Sequence, residues 1–191
     1  DLPCGIALSE LAFLRPIADQ WREVFLRSIF YLATEVAIPV FVLWLWPRNL
    51  PAIGHISHDS DGNELDRAEL LLASLERAKI NSTGCVIAPG YPPTIIEKIR
   101  SDGHELAMHY DAMTPGLDWG EEQFEKQWHF LSEQLGPDIV TNKNHYLRWE
   151  GDMEFYAWCE KRGIKLDQSK GPSKTGEGGF NFGTCQPYVP V

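Results

Sequence analysis

Near the start of the chain, apolar residues recur at helical spacing. Trp21, Phe25, Ile29 and Leu32 fall on one face of a 3.6-residue period, and Pro39, which lacks the backbone donor a helix needs, closes that helix. Residues 40–46 are then continuously apolar up to Pro47, the pattern of a short strand buried on both faces. From residue 52 onward short apolar runs alternate with longer amphipathic segments. The runs at 52–57, 82–87, 105–109, 139–144 and 164–167 read as strands. Between them, Asp66 with Glu69 three residues later reads as a capping box, and Leu70, Leu71 and Leu75 as the buried stripe of the helix it opens. Pro93 opens the next helix and Gly103 ends it; Glu121 and Glu122 begin a third that runs to Leu135 and stops at Gly136; Asp152 caps a fourth that ends at Gly163. Strand-then-helix alternation predicts a parallel sheet with helices packed outside it, an α/β fold in the form of a distorted or incomplete (β/α) barrel. Residues 1–50 form a helical lead-in with a first buried strand, and residues 51–191 the domain proper. The Gly-rich stretch 170–179 is the one long loop.

Composition narrows the class. A chain of 191 residues buries roughly two-thirds or more of its unfolded surface, so it needs no structural metal simply to fold, and a metal found in it is expected to do chemistry. With a formal net charge of −10 and scattered Lys and Arg residues, it lacks the electrostatic footprint of a nucleic-acid binder. Neutral or cationic ligands, such as sugars and amides, suit such a surface. Cys4, Cys85, Cys159 and Cys185 show no close pairing of the zinc-ribbon or redox kind and read as reduced thiols, which favours the cytoplasm, while their even count is also compatible with a secreted, disulfide-bonded protein. Residues 29–46 are the one candidate membrane span. They contain Glu35 and Pro39, however, whereas a bilayer demands about 20 nearly uncharged residues, so a buried helix and strand are expected instead. The chain opens on Asp1 with no basic leader and ends as abruptly, as an excerpt of a longer protein would.

In parallel α/β folds ligands bind beyond the carboxyl ends of the strands, and the polar residues collect there. The predicted strand ends deliver His58-Asp59-Ser60-Asp61-Gly62, then His109-Tyr110-Asp111, then His145 with Arg148, then Asp167-Gln168-Ser169. Asp59 and Asp61 taken alone are also compatible with a solvated turn in which Asp61 caps a helix, and His109 with a satisfied core histidine. Two carboxylates two residues apart on a loop can nonetheless face a common point, one binding a divalent cation while the other stays free as a base.

His58-Asp59-Ser60-Asp61-Gly62 resembles the first motif of the polysaccharide deacetylases, in its Asp-x-Asp variant, and Gly103-His104-Glu105-Leu106-Ala107-Met108-His109 resembles their second, with the family's helix, strand and helix between. The resemblance spans about residues 53–167. It implies a metal-dependent hydrolase that removes an acyl group from an amide such as an N-acetyl sugar. Asp59 would be the general base, Asp61 and His109 ligands to a divalent metal, with zinc expected, and Arg148, steadied by Asp167, the residue that orients the base. Three departures stand out. The family's second metal histidine is replaced by Met113, a poor ligand for zinc; Trp149-Glu150-Gly151 follow Arg148 where prolines are usual; and no histidine follows His145 to serve as the family's general acid. With only Asp61 and His109 supplied by the motifs, His145 is the expected third ligand and Asp111 the alternative. Tyr110, Tyr146, Trp149 and Tyr188 are candidates to stack on a sugar ring. Two other readings stay open: a non-catalytic relative that binds carbohydrate or a partner, and an amidohydrolase of a small nitrogenous metabolite.

Overall fold

The structure is a computed structural model and describes residues 15–41, 46–151, 153–171 and 184–189. The chain divides into two compact units, Asp1–Gly54 with Lys174–Val191, and His55–Ser173. In the first, helix α1 spans Ile17–Glu35. The expected apolar stripe is present on it but not buried: Trp21, Phe25, Ile29 and Leu32 are each more than half exposed, and no residue of α1 is buried. The hydrogen bonds tying residues 184–189 to this helix run through its polar side. Asp19 accepts from Thr184 Oγ1 (2.6 Å) and the Cys185 N–H (2.9 Å), and Arg22 donates to Gln186. The helix stops at Glu35 and Ala37 takes a φ of 54°, so residues 29–46 are not one helix. No helix among the described residues is long and apolar enough to cross a membrane. Residues 42–45 of the strand expected at 40–46, the Asp152 cap and most of the loop 170–179 lie outside the described residues; Phe41, at the start of that expected buried strand, is 92% exposed.

The second unit is a five-stranded parallel sheet: β1 (Ser57–Asp59), β2 (Thr83–Val86), β3 (Glu105–Tyr110), β4 (Thr141–Asn144) and β5 (Leu166–Asp167), in that spatial order. Helices α2 (Leu65–Ala78), α3 (Pro93–Ser101), α4 (Glu121–Leu135) and α5 (Glu154–Lys161) fill the four connections. Sequential strand order is the winding of a (β/α) barrel and not of a doubly wound sheet, whose order reverses part-way. The sheet is nevertheless open, with β1 and β5 at its edges.

Parallel register puts paired residues on the same face. On one face Val86, Met108 and Tyr110 pack against Ile96 of α3, Phe124 and Leu131 of α4 and Phe155 of α5. The other face carries Asp59, Thr83, Glu105, His109, Thr141 and Lys143, held together by register (Thr83 with Glu105, His109 with Lys143) and by hydrogen bonds from Thr83 Oγ1 and Thr141 Oγ1 to the Glu105 carboxylate, 2.5 Å each. The strands thus turn most of their large apolar residues to the helix side, where Asn142 and Asn144 of β4 also lie, while Cys85 and Ala107 fall on the other face.

Two sequence expectations shift. The first strand is not at 52–57 but at Ser57–Asp59, because pairing begins only where the Ile56 carbonyl accepts the Thr83 N–H (2.9 Å). Helix α2 begins at Leu65, one residue ahead of Asp66, and no side chain caps it. Its buried stripe is Ala68, Leu72 and Leu75, of which Ala68 and Leu72 pack on Ile95 and Ile99 of α3, while Leu70 is 66% exposed. Leu72→Ala is therefore expected to cost about 2–5 kcal/mol in urea denaturation and Leu70→Ala within about 0.5 kcal/mol of nothing. Equal losses would mean that the helix sits in another rotation.

Candidate functional site

The loop after β1 is clamped to the end of β2. The Ser60 N–H donates to the Cys85 carbonyl (3.0 Å), and the Ser60 hydroxyl accepts the Ile87 N–H (2.9 Å) while donating to Asn63 Oδ1 (2.9 Å). The Asn63 amide closes the loop on the Ile87 carbonyl (3.2 Å), and Gly62, at φ 75°, makes the reversal that a side chain would disfavour. Asp59 and Asp61 flank the clamped Ser60 and are held at the sheet's carboxyl edge.

There Asp61 meets two imidazoles. Asp61 Oδ1 lies 3.3 Å from His109 Nε2 and 3.4 Å from His145 Nδ1, and the two ring nitrogens are 3.2 Å apart. His109 is fully buried and donates its Nδ1–H to the Lys143 carbonyl (2.7 Å), which leaves a lone pair on Nε2 facing the other two atoms. A carboxylate oxygen and a lone-pair nitrogen brought this close, with a second ring nitrogen beside them, are an arrangement stabilised by a cation between them. The spacing suits one: ligands about 2.0–2.1 Å from a tetrahedral zinc are about 3.3 Å apart. The residues present therefore fit a divalent metal, with Asp61, His109 and His145 as its holders. Burial keeps the His109 imidazole below its ordinary pKa, in the neutral form a metal requires.

Asp59 stands just outside this triangle. Its Oδ2 is 3.9 Å from His109 Nε2, and its Oδ1 accepts from Lys143 Nζ at 2.9 Å. Lys143, on β4, thus orients His109 through its carbonyl and Asp59 through its ammonium. It was not among the residues expected from sequence. Its signal was a lysine in the middle of a strand otherwise read as buried.

The structure does not bring the other expected residues together in the same way. Arg148 does not pair with Asp59: its guanidinium is engaged by Glu150 and the Ala112 carbonyl. Nor does Asp167 steady Arg148, since its carboxylate accepts from Asn142 Nδ2 (2.9 Å), Ser169 Oγ (2.7 Å) and the Ser169 N–H (2.9 Å). Burial pushes the Asp167 carboxyl up, and those hydrogen bonds only partly offset it. Asp111 Oδ1 caps its own turn, accepting the Met113 and Thr114 N–H groups (2.8 and 3.1 Å), and Met113 is outside the donor triangle. Tyr110 is fully buried among Phe124, Phe155 and Trp119, its hydroxyl donating to the Gly120 carbonyl (3.2 Å), so it offers no face to a sugar. Its alternation onto the helix side of β3 explains why. Tyr146 is 65% exposed, its ring 4.6 Å from that of His145. Trp149 is half-buried, edge-on to Phe155, with Lys170 Nζ 4.3 Å over its ring. Tyr188 belongs to the first unit. A cleft of about 280 Å³ opens beside Asp59 and Asp61, with Glu64, Arg67, Leu71 and Tyr91 also lining it.

No family model and no curated protein matches this chain in sequence. Among solved structures it is similar to a peptidoglycan N-acetylglucosamine deacetylase (17% identity, 60% of this chain and 55% of that one, TM-score 0.49). It is also similar to the chitin deacetylase of the fungal pathogen Colletotrichum lindemuthianum (16% identity, 60% and 54%, TM-score 0.47) and to a Mycobacterium smegmatis protein described as a polysaccharide deacetylase (17% identity, 68% and 54%, TM-score 0.47). The chain spans about half the length of each.

Burial lowers the pKa of both His58 and His109 below the ordinary 6.5. In the unfolded chain both titrate near that value, so below it the unfolded state binds protons that the folded state does not. Stability that is complete above pH 6.5 is then lost as pH falls toward the folded-state pKa values. The urea midpoint of metal-free protein should fall between about pH 7 and about pH 5. Asp167, whose carboxyl burial pushes up, contributes with the opposite sign, so the decisive comparison is the Asp167→Asn protein: a midpoint that holds or rises across that range there would contradict the burial of these neutral rings.

Proposed function

We propose that this chain is a metal-dependent hydrolase that cleaves the C–N bond of an acylated amine, of the kind its two sequence motifs resemble, acting on an N-acetyl sugar or a similar neutral amide. The observation that carries the reading is the convergence of Asp61, His109 and His145 within 3.4 Å of one another, with a second carboxylate, Asp59, held beside them but outside the triangle. A structural role needs only one of these groups satisfied, whereas hydrolysis needs holders for a cation and a separate base.

A divalent cation, zinc by its match to one carboxylate and two imidazoles, would polarise the amide carbonyl and make water more acidic. Asp59 takes the proton of the water that attacks the carbonyl carbon and returns it to the nitrogen as the C–N bond breaks, so that the acid and the free amine leave. The ammonium of Lys143, 2.9 Å from Asp59 Oδ1, holds that carboxylate in place before the proton arrives. The Lys143 carbonyl fixes the His109 tautomer, so that Nε2 and not Nδ1 faces the site. Asp61 is 59% exposed, which leaves one side of the triangle open for substrate, and Tyr146 beside His145 offers an aromatic face for a sugar ring.

With zinc-loaded protein and N-acetylglucosamine oligomers or small N-acetyl amides, acetate release should fall by about 10²–10⁴-fold in Asp59→Asn while zinc affinity stays nearly unchanged. Asp61→Asn and His145→Ala should instead loosen zinc. Equal loss of zinc in Asp59→Asn and Asp61→Asn would make Asp59 a ligand and leave the base elsewhere. A wild-type protein that binds no metal would remove the hydrolase reading.

A further inference from the structure

The two imidazoles of the triangle are held in different ways. His109 is oriented through its own ring, by the Lys143 carbonyl. Among the described residues, the His145 ring has no hydrogen-bond partner beyond Asp61 and His109, and its other ring contacts are edge-on to Tyr146 and His109. Its place is therefore set by its backbone. That backbone is unusual, since Tyr146 and Leu147 both sit at φ 53°, a region that successive non-glycine residues adopt only where their surroundings hold them there.

What holds this turn comes from β5. The Asn144 N–H, immediately before His145, donates to Ser169 Oγ (2.7 Å), and the Asn144 side-chain amide donates to the Arg148 carbonyl (3.0 Å), so the turn is fastened at entry and at exit. The Ser169 hydroxyl donates in turn to Asp167 Oδ1 (2.7 Å), which leaves its lone pair directed at Asn144. Asn142 Nδ2 bridges Asp167 Oδ1 (2.9 Å) and Asn144 Oδ1 (2.8 Å). Asn142, Asn144 and Ser169 are at most 1% exposed, so water does not replace these bonds when one is removed. An interior this polar is costly where apolar packing would serve, unless the geometry it fixes is needed.

We infer that Asp167 and Ser169 are positioning residues for His145, acting through the backbone of Asn144 to hold the Nδ1 atom of His145 at the donor triangle. This rests on the metal-site reading above, and it gives Asp167 a different task from steadying Arg148. Support around a ligating histidine typically changes metal affinity by about 10–100-fold when removed.

The test is zinc affinity, by competition with a chromophoric chelator, for Ser169→Ala alone and combined with His145→Ala, together with amide hydrogen exchange of the metal-free proteins. Ser169→Ala should weaken zinc about 10–100-fold in the wild-type background and within about twofold in His145→Ala, because the support is lost only where there is a ligand to support. Exchange at residues 145–147 should quicken while β2 and β3 are unchanged. Asp167→Asn, which keeps the side-chain shape, should move both readouts in the same direction by less, and stands in if Ser169→Ala does not fold. Equal zinc losses in both backgrounds, or unchanged exchange at 145–147, overturns the inference. If wild type and His145→Ala bind zinc equally, the metal-site reading has failed, and the exchange data still decide the positioning role.

Discussion

The hydrogen bond from His109 Nδ1 to the Lys143 carbonyl is the contact on which the rest of the site depends. It decides which nitrogen of a buried ring faces the carboxyl edge of the sheet. With that choice made, the residue delivering the carbonyl also sends its ammonium to Asp59, so one position on β4 orients a buried histidine and a carboxylate together. The arrangement follows from parallel register. His109 pairs with Lys143, and pairing places both side chains on the face opposite the helices, next to Asp59 from β1.

The same register separates scaffold from chemistry. Residues alternating to the helix side, Val86, Met108 and Tyr110, join a continuous apolar core with α3, α4 and α5. Their neighbours on the opposite face are polar and satisfied by one another, as in the Thr83–Glu105–Thr141 bridge. A sheet whose large apolar residues lie mainly on one side gains its stability from the helix layer packed there. The second face carries its charges in pairs, as Lys143 with Asp59, which offsets the cost of their partial burial. The short strands converge there, and their loops, clamped by Ser60 after β1 and by Asn144 and Ser169 after β4 and β5, bring in Asp61 and His145.

Much of this was legible in the sequence, and the reasons are local. Pro93, Gly103, Glu121 and Gly136 mark helix ends by chemistry that needs no tertiary partner, and α3 and α4 lie where those signals put them. The alternation of apolar runs with amphipathic segments sufficed for a parallel sheet, and the strand ends sufficed to place Asp61, His109 and His145 at one edge. What was not legible depended on long-range contact. Tyr110 and His109 are adjacent in sequence but on opposite faces, so one is core and the other is site. The partner of Asp59 is 84 residues away, at a lysine whose one local mark is its place inside a strand, which does not say what it meets. Helix α2 turned by its packing on Ile95 and Ile99, which the spacing of its leucines alone did not select.

The central claim is that one carboxylate and two imidazoles hold a metal. X-ray absorption at the zinc edge of zinc-loaded protein tests it most directly. The prediction is one zinc per chain, with nitrogen and oxygen ligands at about 2.0–2.1 Å and the scattering of two imidazoles, reduced to one in His145→Ala. A first shell without imidazole, a sulfur ligand from Met113, or a spectrum that His145→Ala leaves unchanged would contradict it.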